Sequence, residues 1–123
     1  MNKAQAIQSF WESFDIPAYD ATDVPDDAKM PYITYNVVTD SLDNVVNMNA
    51  SIWYRSTSWK DVSIKAEDIA EYIVKMDPPS IALDKGRLYI AKGTPFAQRM
   101  DDPNDSMIRR MYLNIQAEFL TAY

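Results

Sequence analysis

From Met107 to Thr121 the chain alternates without a break. Met107, Arg109, Met111, Leu113, Ile115, Ala117, Phe119 and Thr121 fall on one side; Ile108, Arg110, Tyr112, Asn114, Gln116, Glu118 and Leu120 fall on the other. A period of two over that length describes an extended strand with one face turned to a core and the other free to meet water. Such a strand needs a central place in a sheet. Its expected neighbour is Val45 to Arg55, where Val46, Met48, Ala50, Ile52 and Tyr54 make a second apolar face.

The remaining elements are placed around this pair. Ala4, Ile7, Phe10, Trp11 and Phe14 recur at helical spacing, which predicts a helix from Lys3 to Phe14 with Asn2 as its cap. Ile16 to Lys29 reads as a loop, with Pro17, Pro25 and four aspartates, and room for a short extended piece at Ile16–Tyr19. Tyr32 to Asp40 reads as a strand, joined through Ser41–Asn44 to Val45–Arg55 as a hairpin. Ser58 followed by Asp61 resembles a capping box at the head of a helix from Trp59 to Met76, whose buried stripe is Val62, Ala66, Ile69, Ala70 and Ile73. Asp84-Lys85-Gly86 marks a tight hairpin between Ser80–Leu83 and Arg87–Ala91. Lys92-Gly93-Thr94-Pro95 is expected to end its second arm, with Phe96–Met100 a separate short strand and Asp101–Asp105 a loop. The fold class that follows is α+β: a mixed, mainly antiparallel sheet with two helices packed on it, in a single domain over residues 1–123.

Composition narrows the chemistry. With 123 residues the chain can bury about two-thirds of its unfolded surface without staples. It has no cysteine and no histidine, so Ser-His-Asp, Cys-His and zinc-hydrolase sites cannot be built within it. Its 2 glycines rule out a glycine-rich phosphate loop. No apolar run approaches the ~20 residues of a membrane span, and the first residues lack the apolar centre of a secretory signal, so a soluble, untargeted chain is expected. The formal charge of −6 disfavours sequence-specific nucleic-acid binding but not the passage of DNA past a non-adhesive wall.

Candidate sites are few. The acidic clusters Asp101, Asp102, Asn104, Asp105 and Asp20, Asp23, Asp26, Asp27 lack the spacing of a calcium loop and read as solvated turns, or as surfaces for another subunit's lysines. Glu67 and Glu71 lie one turn apart on a polar helix face, the usual place for solvated carboxylates. Trp53 and Arg55 lie on the strand face opposite Ile52 and Tyr54. Unless a helix covers that face, they present a large aromatic and an arginine together, residue types enriched at interface hot spots. Tyr112 invites the same reading. The candidate subunit-interface residues are therefore Trp53, Arg55, Tyr112, Asp101 and Asp102, with no catalytic, cofactor or metal site.

The order of elements, together with Phe10-Trp11-Glu12-Ser13-Phe14, Ile16-Pro17-Ala18-Tyr19, Val24-Pro25, Pro31-Tyr32-Ile33-Thr34-Tyr35 and Trp53-Tyr54-Arg55-Ser56-Thr57-Ser58-Trp59, resembles the small tail-terminator, or tail-completion, proteins of long-tailed bacteriophages. The resemblance implies a non-enzymatic virion protein that needs no cofactor. It implies a homohexameric ring that caps the tail tube, ends tube polymerisation and offers a docking face to the head-closure or connector protein. DNA would pass through the lumen without specific binding. The place would be the tail–neck junction of the virion, after assembly in the bacterial host cytoplasm, with no membrane partner. Two alternatives stay open: a head-closure or adaptor protein of the same neck, and an acidic soluble module that binds or inhibits a basic partner.

Overall fold

The computed structural model describes residues 1–40, 44–76 and 78–123. Helix α1 spans Lys3–Trp11 and continues as a 3-10 turn over Glu12–Phe14. Strands β1 (Ala18–Asp20), β2 (Tyr32–Tyr35) and β3 (Val45–Arg55) precede helix α2 (Lys60–Met76), and β4 (Ser80–Leu83), β5 (Gly86–Met100) and β6 (Ile108–Leu120) follow it. The six strands form one sheet in the order β1-β2-β3-β6-β5-β4. Only β1 and β2 run parallel; the other pairs are antiparallel. The fold is α+β, a mixed and mainly antiparallel sheet with two helices.

Strand β6 takes the central place that its alternation requires. It pairs with β3 from Val45↔Glu118 to Arg55↔Ile108, and with β5 on its other side. Its inward residues Met111, Leu113, Ile115, Ala117 and Phe119 are buried with Met48, Ala50 and Ile52 of β3 and Leu88 and Ile90 of β5. Both helices cover this one face. Helix α2 contributes Val62, Ala66, Ile69 and Ile73 and packs on β3, β5 and β6. Helix α1 contributes Ala6, Ile7, Phe10 and Trp11 and touches β1 and β4, the two opposite edges of the sheet. Reaching both edges with one helix requires the sheet to curl around it. Polar ties fix that curl: Gln8 Nε2 donates to the Ala18 carbonyl on one side, and on the other Asp84 N–H donates to the Met1 carbonyl. Short edge strands tied to a helix in this way are poor templates for strand addition.

The helix ends follow local chemistry. Asn2 Oδ1 accepts the Gln5 N–H at 2.8 Å and Gln5 Oε1 accepts the Asn2 N–H at 2.9 Å, a reciprocal capping box. The 3-10 turn stops at Asp15, whose φ of 65° is left-handed. At α2 the expected Ser58–Asp61 box is not the capping device. The Trp59 carbonyl accepts the first helical N–H, from Ser63, and the Ser58 hydroxyl accepts from Lys60 N–H at 3.1 Å, so Ser58 lies one residue too early.

Two further expectations are corrected, and one lies mostly outside the described residues. The strand expected over Tyr32–Asp40 ends at Tyr35, although Asn36 N–H still donates to the Asn49 carbonyl. The connecting segment expected at Ser41–Asn44 falls, for Ser41 to Asp43, outside the described residues. Lys92–Pro95 does not end the second hairpin arm, and Phe96–Met100 is not a separate strand. Instead β5 runs on to Met100, with a bulge in which Gly93 to Phe96 face a single residue, Asn114. Asn114 Nδ2 donates to the Pro95 carbonyl at 2.9 Å, and a Cβ on Gly93 would lie 2.8 Å from the Asn114 Cβ, so the bulge packs flat on β6 because Gly93 has no side chain.

Candidate assembly surface

With both helices on one face, no layer of the described residues lies over the other face of the sheet. Parity and register place Tyr19, Tyr32, Thr34, Asn47, Asn49, Ser51, Trp53, Arg110, Tyr112, Asn114, Gln116 and Gln98 there. The alternative in which the first helix covers Trp53 is therefore excluded: α1 lies on the opposite side, and Trp53 is half-buried only by its neighbours in the sheet.

Those neighbours form a diagonal strip across four strands. The Tyr19 and Tyr32 rings meet edge to face at 5.8 Å between centroids, and Tyr32 and Trp53 lie 6.4 Å apart. The Arg110 guanidinium sits 4.6 Å from the Trp53 ring centroid and 5.9 Å from that of Tyr112. Polar contacts lock the strip in place: Trp53 Nε1–H donates to Thr34 Oγ1 at 2.9 Å, and Arg110 Nε–H donates to Ser51 Oγ at 2.9 Å. Such side chains lose little rotamer freedom on binding, which favours association.

Sequence reasoning placed Trp53 and Tyr112 correctly on this face but missed Tyr19, Tyr32 and Arg110. The signal for Arg110 was present in the alternation that puts it beside Tyr112. What was missing was the register, Trp53↔Arg110, that stacks it on the indole.

The other candidates lie outside the strip, Arg55 on the same open face but at its end. Arg55 Nη2 is paired with Asp105 Oδ2 at 2.8 Å, so its charge is used within the chain, at the end of β3. Asp105 also accepts the Met107 N–H. That backbone hydrogen bond, with the Arg55 contact after it, holds its carboxyl below the ordinary value of 3.8. Asp102 accepts the Asn104 N–H and closes its own turn, and Asp101 is exposed. Asp101 and Asp102 are thus not brought to the strip. Asp20 likewise accepts from Thr22 N–H and Oγ1, which lowers its pKa through the backbone hydrogen bond first.

Along the strands the open face carries Arg55, Arg87 and Arg110 and, among the described residues, one carboxylate, Glu118. Arg109, next to Arg110 in sequence, points the other way. Arg109 donates to the Ser106, Ile108 and Thr57 carbonyls, and it shares the Trp59 ring with Arg99, at 5.5 and 5.0 Å. The depression beside the β5 bulge is lined by Asn47, Gly93, Thr94, Pro95, Asn114 and Gln116, none of which titrates near neutrality. Among the described residues no three Asp or Glu side chains are grouped to hold a metal ion.

The uncovered face is thus uncharged to cationic and rich in amides and aromatics. The chain matches no protein-family model and no curated protein.

Proposed function

We propose that this chain is a structural protein of a long-tailed phage virion: a tail terminator that assembles as a ring, hexameric as in the family it resembles, on the end of the tail tube. There it stops tube growth and offers its outer surface to the head-closure or connector protein. The observation that carries the reading is the open sheet face with its Tyr19–Tyr32–Trp53–Arg110–Tyr112 strip. Aromatic residues and arginine, fixed by side-chain contacts and left without a covering layer, are what a subunit contact uses.

The reading is tested on tubes. Polymerising tail-tube protein from the same phage is mixed with the chain and viewed by negative-stain electron microscopy. The expected result is shorter tubes carrying a ring of density at one end, with no density along the sides. Tubes of unchanged length with bare ends would refute the role and favour the acidic binding module.

A further inference from the structure

The ring reading leaves open what covers the exposed sheet face. The outward side of α2 supplies an answer of matching chemistry. Val62, Ala66, Ile69 and Ile73 face the core, so Ile64, Glu67, Asp68, Glu71 and Val74 point away from it, on the opposite side of the molecule from the open sheet face. Ile64 is 46% exposed and Val74 56%, two large apolar side chains on the solvent-facing side of the helix. Between them stand three carboxylates, of which Glu71 is paired with Lys75 at 2.7 Å. The outward side of α2 therefore carries Ile64 and Val74 together with four exposed carboxylates, Asp61, Glu67, Asp68 and Glu71, against two exposed lysines, Lys60 and Lys75, and is acidic on balance. The open sheet face is aromatic with a cationic centre at Arg110.

We infer that the outward side of α2 in one copy packs on the open sheet face of the next copy, with Glu67 and Asp68 opposite Arg110 and with Ile64 and Val74 against the Trp53–Tyr112 surroundings. This inference rests on the ring reading and names its seam. A helix laid on a bare sheet face is the ordinary way such a face is buried. The two patches lie on different sides of the chain, so the contact is head-to-tail and generates a ring or filament rather than a two-fold dimer. Face-to-face pairing of two sheets is disfavoured, because each brings Arg110 and Arg87 with only Glu118 to offset them.

The chain has no cysteine, so paired thiols can be placed without background. Gln98→Cys sits on the open face beside Tyr112, and Asp68→Cys on the exposed side of α2. Under mild oxidation the double variant is expected to give a ladder of disulfide-linked multimers, while equal mixing of the two single variants gives cross-linked dimers and no higher species. Light scattering of the unmodified chain, at up to about 1 mM to capture weak contacts, runs in parallel. Arg110→Glu is expected to weaken association at least ten-fold, and adding Glu67→Arg and Asp68→Arg to that variant is expected to recover most of the loss.

Self-cross-linking of Gln98→Cys alone would overturn the inference in favour of face-to-face pairing. Oligomers in scattering without any disulfide between the two introduced thiols, and without a response to Arg110→Glu, would place the seam elsewhere and leave the ring reading standing. A chain that stays monomeric both alone and with the tail-tube protein would overturn both.

Discussion

Trp53→Ala separates a core tryptophan from an interface tryptophan. Within one chain the substitution removes the Nε1–H···Oγ1 hydrogen bond to Thr34, about 1 kcal/mol net. It also removes the ring contact with Tyr32, about 0.5–1.5 kcal/mol, and the exposed cation–π contact with Arg110, about 0.5–1 kcal/mol. The Thr34 hydroxyl gains access to water on the uncovered face once the indole is gone, so no large desolvation penalty is added. The contributions are not independent, and a loss of about 2 kcal/mol is expected. A domain of ordinary stability, roughly 5–15 kcal/mol, stays folded after that. Urea denaturation at low protein concentration measures this part. Association should suffer separately, because an anchoring tryptophan at the centre of a contact contributes about 2 kcal/mol or more, equivalent to some thirty-fold in the association constant. Sedimentation of the folded variant measures that part. Trp11→Ala is the reference: Trp11 is 0% exposed, so its truncation should cost about 3–5 kcal/mol in folding. The reasoning is refuted if Trp53→Ala destabilises the monomer as much as Trp11→Ala, or if the folded Trp53 variant associates as tightly as the parent.

Other perturbations test separate parts of the structure. Gly86→Ala should lower stability by at least about 2 kcal/mol by denaturant titration, because φ is +132° and the new Cβ would lie 2.1 Å from the Leu120 carbonyl oxygen; a change within about 0.5 kcal/mol, the range of an ordinary surface substitution, would contradict the turn geometry. Asn2→Ala removes the α1 capping box and should cost about 1 kcal/mol, seen as a lowered thermal midpoint and faster amide exchange at Gln5. The Asp105 carboxyl, followed by NMR, should titrate with a midpoint below 3.8. Its folded pKa is depressed, so its contribution to stability is present at neutral pH and is lost as pH falls through that depressed value. In Arg55→Gln the midpoint should rise only part of the way, since the Met107 N–H still donates to it.

The long elements were legible because one face of each is buried along its central stretch. In β3 and β6 a slip of one residue would expose the entire apolar set, so the inward residues of the sequence pattern are the buried ones, and the one exception at the centre of β3 is Ser51, buried on the open face beneath Arg110. Helix α2 was readable for the same reason at its own period. The β5 bulge was misread because Gly93 and Pro95 are local breakers, whereas β6 is long enough to hold the strand on both sides of them. The parallel β1–β2 pair depends on contacts with Ile33 and Tyr35 across the intervening loop, which no local pattern announces. At the surface, the parity of Trp53 and Tyr112 was readable, while the pairing of Arg55 with Asp105 across 50 positions was not. Pairing removed Arg55 from the strip, and the β3–β6 register put Arg110 in its place.

The central claim is that the uncovered sheet face is a contact between copies. It is met most directly by the solution mass of the chain from light scattering, alone and with the tail-tube protein, for the parent and for Arg110→Glu. The account predicts a multiple of the 14.1 kDa chain mass for the parent, sixfold for a hexamer, collapsing toward a single chain in the variant. A parent that stays at one chain mass in both conditions, or a variant as large as the parent, would contradict it.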